Sequence, residues 1–101
     1  STGPPEITSD ITQFAKVGET AEVKCKTIAS PKPTFVWARN GQPIVYATSG
    51  RFSADVDEFP YGRSSRLLIL NIQEEDFGVY NCTVNNGRGS DTQMIKLQKT
   101  G

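Results

Sequence analysis

The sequence contains no histidine, which removes the commonest general base and the commonest metal ligand from any mechanism built on it. It also lacks net charge: 11 basic and 11 acidic residues cancel over 101 positions, so no overall field draws it to nucleic acid or an anionic membrane. No apolar run is long enough to cross a bilayer, and no stretch has the pattern of a signal peptide. Any membrane anchor of the parent is therefore expected outside this fragment. Glu74-Glu75-Asp76 is a carboxylate cluster in a turn, with Asp76 committed to structure. Asp55, Asp57 and Glu58 lack the glycine and further oxygen ligands of a helical-type calcium loop. Gly87-Arg88-Gly89 is followed by no helix and is a turn, not a phosphate cradle. No catalytic residue, cofactor, metal or small-molecule substrate is expected, and the chain does not read as an enzyme.

What the sequence does have is alternation. Its length suits one domain, and a hydrophobic fraction of 36% suits a small two-sheet core with half-exposed strands. Ala21, Val23 and Cys25 alternate with Glu22, Lys24 and Lys26. Phe35 and Trp37 point inward, leaving Val36 and Ala38 outward. Phe52, Ala54 and Val56 should point inward. Leu67, Ile69 and Ile72 face the core, so Leu68 and Leu70 face away from it. Tyr80, Cys82 and Val84 are inward against Val79, Asn81 and Thr83, and Ile95 and Leu97 are inward on a last strand running from about Ser90 to Gln98.

Punctuation falls at Gly18-Glu19, Asn40-Gly41, Ser49-Gly50 and Asn85 to Gly89, with Ser30 to Pro33 crossing one end. Ile7, Ile11, Phe14 and Val17 suggest a broken edge strand, and Ile44-Val45-Tyr46 a short one. Asp57 to Ser64 reads as a longer loop carrying Phe59-Pro60-Tyr61-Gly62. The count comes to about eight or nine short strands with no helix.

Two cysteines alone say little. Flanking Trp37, with Tyr80 two positions before Cys82, they follow the Cys…Trp…Cys order and tyrosine corner of the immunoglobulin fold. A Cys25–Cys82 disulfide would stabilise by roughly 4 kcal/mol and place the chain in an oxidising compartment. Two buried free thiols in a cytosolic relative are the alternative.

The run Asp76-Phe77-Gly78-Val79-Tyr80-Asn81-Cys82, with Gly18-Glu19, Cys25, Pro33, Trp37, Asn40-Gly41, Arg51, Leu67, Ile69 and Asn86 to Gly89, resembles the I-set class of the immunoglobulin superfamily. The resemblance implies an all-β, immunoglobulin-like two-sheet Greek-key sandwich over residues 4–99, with 1–3 as a linker or a tag remnant and 100–101 as a C-terminal linker. It also implies a core around Trp37, Tyr80, Leu67 and Ile69, and an Arg51–Asp76 ion pair at the base.

Gly3-Pro4-Pro5, Ser49-Gly50-Arg51-Phe52, Tyr80-Asn81-Cys82-Thr83 and Gly89-Ser90-Asp91-Thr92 together are similar to later ectodomain modules of the nephrin/irre-like adhesion receptors. Those are type I membrane proteins with tandem immunoglobulin domains, in which the N-terminal module makes the principal adhesive contact and later modules set reach. The turn at Asn85-Asn86-Gly87-Arg88 departs from that family's aromatic-bearing version. The likeness implies an extracellular, non-catalytic module of a cell-surface protein, acting as a spacer and a secondary contact. Its partners would be other immunoglobulin-domain proteins or neighbouring modules of its own chain. An intracellular module of a giant muscle protein and a ligand-binding module of a growth-factor-type receptor are the rivals.

Three surfaces are candidate contacts. Val36, Ala38, Val79 and Met94 should form an apolar stripe outside the sheet that holds Cys82. Leu68 and Leu70 interrupt a charged face on the other sheet, and Phe59 and Tyr61 occupy a loop tip. Asn81-Cys82-Thr83 is an N-glycosylation acceptor with Asn81 turned outward. A glycan there would cover the first surface, so glycosylation and adhesion through that stripe compete.

Overall fold

The computed structural model describes residues 3–29, 31–44 and 50–101. Among them, nine strands run in order: β1 (Glu6–Ile7), β2 (Thr12–Ala15), β3 (Ala21–Ile28), β4 (Thr34–Arg39), β5 (Gln42–Pro43), β6 (Phe52–Phe59), β7 (Gly62–Ile69), β8 (Gly78–Asn85) and β9 (Ser90–Lys99). One turn of 3-10 helix, Glu74–Asp76, precedes β8. The strands form a four-stranded sheet, β1-β3-β7-β6, and a five-stranded sheet, β2-β9-β8-β4-β5. This is the two-sheet sandwich that the resemblance implies.

Between the sheets lie the inward residues of the alternating runs. Val23, Trp37, Leu67, Ile69, Ile72, Tyr80, Val84, Ile95 and Leu97 are all buried. Cys25 on β3 and Cys82 on β8 are joined across this core, 57 positions apart in sequence. Trp37 lies directly opposite Cys82 on one sheet, and Ser65 opposite Cys25 on the other. Trp37 Nε1 donates to Ser65 Oγ at 2.8 Å, so a polar tie crosses the core beside the covalent one. A buried indole N–H needs such a partner.

The broken first strand changes sheets at its break. β1 pairs antiparallel with β3, whereas β2 pairs parallel with β9. Side chains take over the ladder that β3 loses where β1 departs. Ser9 Oγ accepts from Lys26 N, and the Gln13 amide both accepts from Lys24 N and donates to Lys24 O, each at 2.8 Å. Gln13 stands on one sheet and satisfies the edge of the other, pairing backbone groups that an unpartnered edge leaves open.

Two expectations need correction. Asp57 to Ser64 is not a long loop: β6 and β7 pair from Phe52↔Ile69 to Phe59↔Gly62, leaving only Pro60 and Tyr61 as the turn. Gly62 makes this possible because a Cβ there would lie 2.1 Å from the Thr27 carbonyl oxygen of β3. Ala54 and Val56 lie opposite buried Leu67 and Ser65, but both are exposed, Val56 by 49%. They sit on the edge strand, beyond the cover of the opposite sheet. A short strand follows Asn40-Gly41 at Gln42–Pro43, and the one expected around Ile44-Val45-Tyr46 falls mostly outside the described residues. Val45, Tyr46, Ser49 and Ser30 lie outside the described residues.

The chain enters at one end of the sandwich and leaves at the other. Asn86 Nδ2, in the β8–β9 turn, donates to the Gly3 carbonyl at 2.7 Å. At the far end Thr100 N donates to Ala15 O, and Lys99 pairs with Glu74. The longest dimension of the domain is 41 Å.

Candidate interaction face

The base of the domain is built around Asp76. Its carboxylate accepts from Gln73 N at 2.7 Å and forms an ion pair with Arg51 Nη2. Arg51 also donates to the carbonyls of Leu70 and Asn71, at 3.1 and 3.2 Å. The Asp76 side chain is only 5% exposed and that of Arg51 36%, so the pair is sunk at its acidic end and wet at its basic end.

Sequence reading missed a second clamp. Arg39 follows Trp37 with inward parity at the end of β4, where a guanidinium must find acceptors. It donates to the carbonyls of Glu75, Asp76 and Phe77 and to the Tyr80 hydroxyl at 2.6 to 3.0 Å. The parity was the available signal. Tyr80 in turn donates from its hydroxyl to the Asp76 carbonyl at 2.7 Å, closing a tyrosine corner.

Burial pushes the Tyr80 phenol above the ordinary tyrosine value, with Arg39 pulling the other way. The unfolded chain therefore loses this proton first as pH rises. Stability from the neutral phenol is whole below the ordinary tyrosine value and is lost as pH climbs through the folded one. We expect the Tyr80 phenolate of the folded domain to appear only above the ordinary tyrosine value, and Tyr80→Phe to remove that share of the alkaline loss. Phenolate absorbance followed together with circular dichroism checks this; a Tyr80 phenolate in still-folded protein at or below the ordinary tyrosine value would contradict it.

On the outer face of the five-stranded sheet, the strand register places Ala38, Asn81 and Met94 in one row. Val36 pairs with Thr83 in the row on one side, and Val79 with Lys96 in the row on the other. Met94 is 64% exposed, Val36 53% and Val79 44%, with Ala38 half-buried. The four apolar residues are thus brought together, but they surround Asn81. Pro43 of β5 extends the central row beyond Ala38, and Phe14 of β2, itself exposed, stands beyond Lys96 beside Gln98.

The four-stranded sheet presents the opposite chemistry. Arg66, at its centre, pairs with Glu22, Asp55 and Asp57. Its hydrogen bonds to Asp57 and then to Glu22 raise the Arg66 pKa. Leu68 lies between Glu22 and Ser53 and is half-buried, whereas Leu70 lies past the end of β7 and is exposed. The two leucines therefore form no common patch on one strand.

At the hairpin tip, Phe59 is half-buried beneath Lys26, whose Nζ is 4.7 Å from the ring centroid. Tyr61 is 81% exposed. Nearby, Glu58 pairs with both Lys32 and Arg63, which hold its carboxyl below the usual range. The tip thus separates into a covered ring and a free one. Among the described residues no group of three or more acidic or cysteine side chains is arranged to hold a metal.

The sequence profile of the immunoglobulin I-set domain matches residues 5–98. The chain is 39% identical over 98 residues to the synaptogenesis protein syg-1 of Caenorhabditis elegans, covering 96% of this chain and 13% of that protein. It is 40% identical over 97 residues to the irregular chiasm C-roughest protein of Drosophila melanogaster, covering 95% and 13%. The chain thus spans about an eighth of the length of these relatives. Among solved structures, a chain in the complex of Dpr2 Ig1-Ig2 with DIP-Theta Ig1-Ig3 superposes with a TM-score of 0.82 at 29% identity, covering 95% of this chain and 32% of that one. Titin domain M7 shares the fold, with a TM-score of 0.76 at 24% identity and coverage of 100% and 98%.

Proposed function

The chain belongs to the immunoglobulin I-set domain family, and from that premise we propose that it is a non-catalytic extracellular module of a cell-adhesion receptor that sets spacing between its neighbours. The observation that carries this reading is the buried Cys25–Cys82 disulfide, a bond suited to an oxidising compartment and not to a muscle cytosol. Similarity to syg-1 and roughest adds the receptor context. The chain ends at opposite poles make the module a rod segment, and residues 4–99 are its folded unit, with 1–3 and 100–101 connecting it onward. Gly3 and Thr100 are already held by backbone and side-chain bonds, so those connections begin stiff.

A spacer can be exchanged and a contact cannot. In the receptor that carries this module, replacing it with an unrelated I-set domain of equal length should preserve cell aggregation, whereas deleting it should weaken aggregation. Loss of aggregation on replacement would make the module a specific contact and overturn the spacer reading.

A further inference from the structure

The two outer faces of the sandwich differ sharply in charge. On the four-stranded sheet, Glu22, Lys24, Lys26, Arg66, Asp55 and Asp57 all point outward in adjoining rows. On β4, β8 and β9 of the other sheet, the outward positions carry a single charge, Lys96. Charge depletion of this kind marks surface that becomes covered, because a covered charge loses its hydration. A protein partner, however, would meet a polar amide at the centre of the face. Asn81 lies there with Ala38 opposite on one side and Met94 on the other, and it opens the acceptor Asn81-Cys82-Thr83.

We propose that Asn81 carries an N-linked glycan whose first sugars lie over Ala38, Val79 and Met94, so that the cover of this face is the domain's own oligosaccharide. The inference rests on the extracellular reading above. In the transfer, Asn81 Nδ2 forms a bond to the anomeric carbon of an oligosaccharide carried on a lipid pyrophosphate. The bond from that carbon to the pyrophosphate oxygen breaks, Nδ2 loses a proton and the lipid pyrophosphate leaves. In the folded domain Asn81 is paired on both sides, to β4 and β9, and Cys82 is in its disulfide. The acceptor is therefore open only before β8 enters the sheet, and transfer precedes folding. Sugar rings offer apolar faces and uncharged hydroxyls, which match a surface of methyl, thioether and hydroxyl groups.

The domain secreted from a eukaryotic cell tests this, as wild type, Asn81→Gln and Thr83→Ala. Intact mass, before and after glycan release by an amidase, and a thiol count are read on each. The wild type is expected to carry a mass increment that the amidase removes and that both variants lose. A contact between the acetamido methyl of the first sugar and the Met94 methyl is expected in its nuclear Overhauser spectrum. Because release leaves a carboxylate at position 81, the covering is read against Asn81→Gln: the Met94 methyl resonance of the glycosylated wild type should differ from that of the variant, and the wild type should bind less apolar dye. A disulfide-bonded wild type at bare mass would overturn this inference alone and return the face to protein contact. A glycosylated wild type whose Met94 resonance matches that of Asn81→Gln would overturn the covering. Free thiols in secreted, folded protein would sink the extracellular reading together with the inference.

Discussion

Reduction of the Cys25–Cys82 bond is expected to lower the unfolding free energy by about 4 kcal/mol, the loop-closure entropy that a 57-position cross-link removes from the unfolded chain. For a domain of this size that corresponds to a fall of about 20 °C in Tm. Domains of this kind hold only about 5–15 kcal/mol in total, so the reduced protein remains folded only marginally. The effect acts chiefly on the unfolded state. The Trp37–Ser65 hydrogen bond and the apolar contacts around it stay in place when the sulfurs are free. Urea denaturation with and without reductant measures it. A midpoint unchanged by reduction would mean that the reduced unfolded chain is already as compact as the cross-linked one.

Asp76→Ala is expected to cost about 2–3 kcal/mol, below the usual range for breaking a buried pair because Arg51 can turn toward water. The larger share comes from the Gln73 amide, which loses the acceptor now 2.7 Å away, and from the base turn it anchors. Asp76→Asn keeps an acceptor for Gln73 N and removes only the charge, so it should cost less than Asp76→Ala. A double-mutant cycle with Arg51→Ala isolates the ionic share. Equal destabilisation by Asn and Ala at this position would show that the charge, not the amide contact, dominates.

The core was legible in the sequence because period-two alternation has one solution when each sheet has one wet face. Cys25, Trp37, Leu67, Ile69, Tyr80 and Cys82 follow directly from it. Where alternation was misread, a local signal competed with the tertiary one. Pro60, Tyr61 and Gly62 look like loop residues, yet Gly62 serves a close approach between strands. Ala54 and Val56 have the inner parity of their strand, but parity says nothing about how far the opposite sheet extends. Arg39 and Ser65 were missed because their role is to satisfy other groups. A residue type can announce that it needs a partner, but only the assembled sheets supply one. Alternation already placed Asn81 on the same outer face as Val36, Ala38, Val79 and Met94, and the register supplies the rows in which they stand.

The parallel pairing of β2 with β9 has a mechanical consequence. The N-terminal segment leads into β2 from one pole, and β9 leads out to the other. Tension between the poles therefore slides these strands along one another. Their hydrogen bonds are loaded together in shear, instead of opening one after another as a zipper would. Once they yield, the sulfur bridge becomes a fixed stop: everything between Cys25 and Cys82 is closed in a covalent loop and adds no length. Only the chain outside that loop can extend, so in single-molecule pulling the contour gained is short and lengthens after reduction. An oxidised module of this design behaves as a fuse with a short travel, yielding a little under load while keeping its two ends tethered.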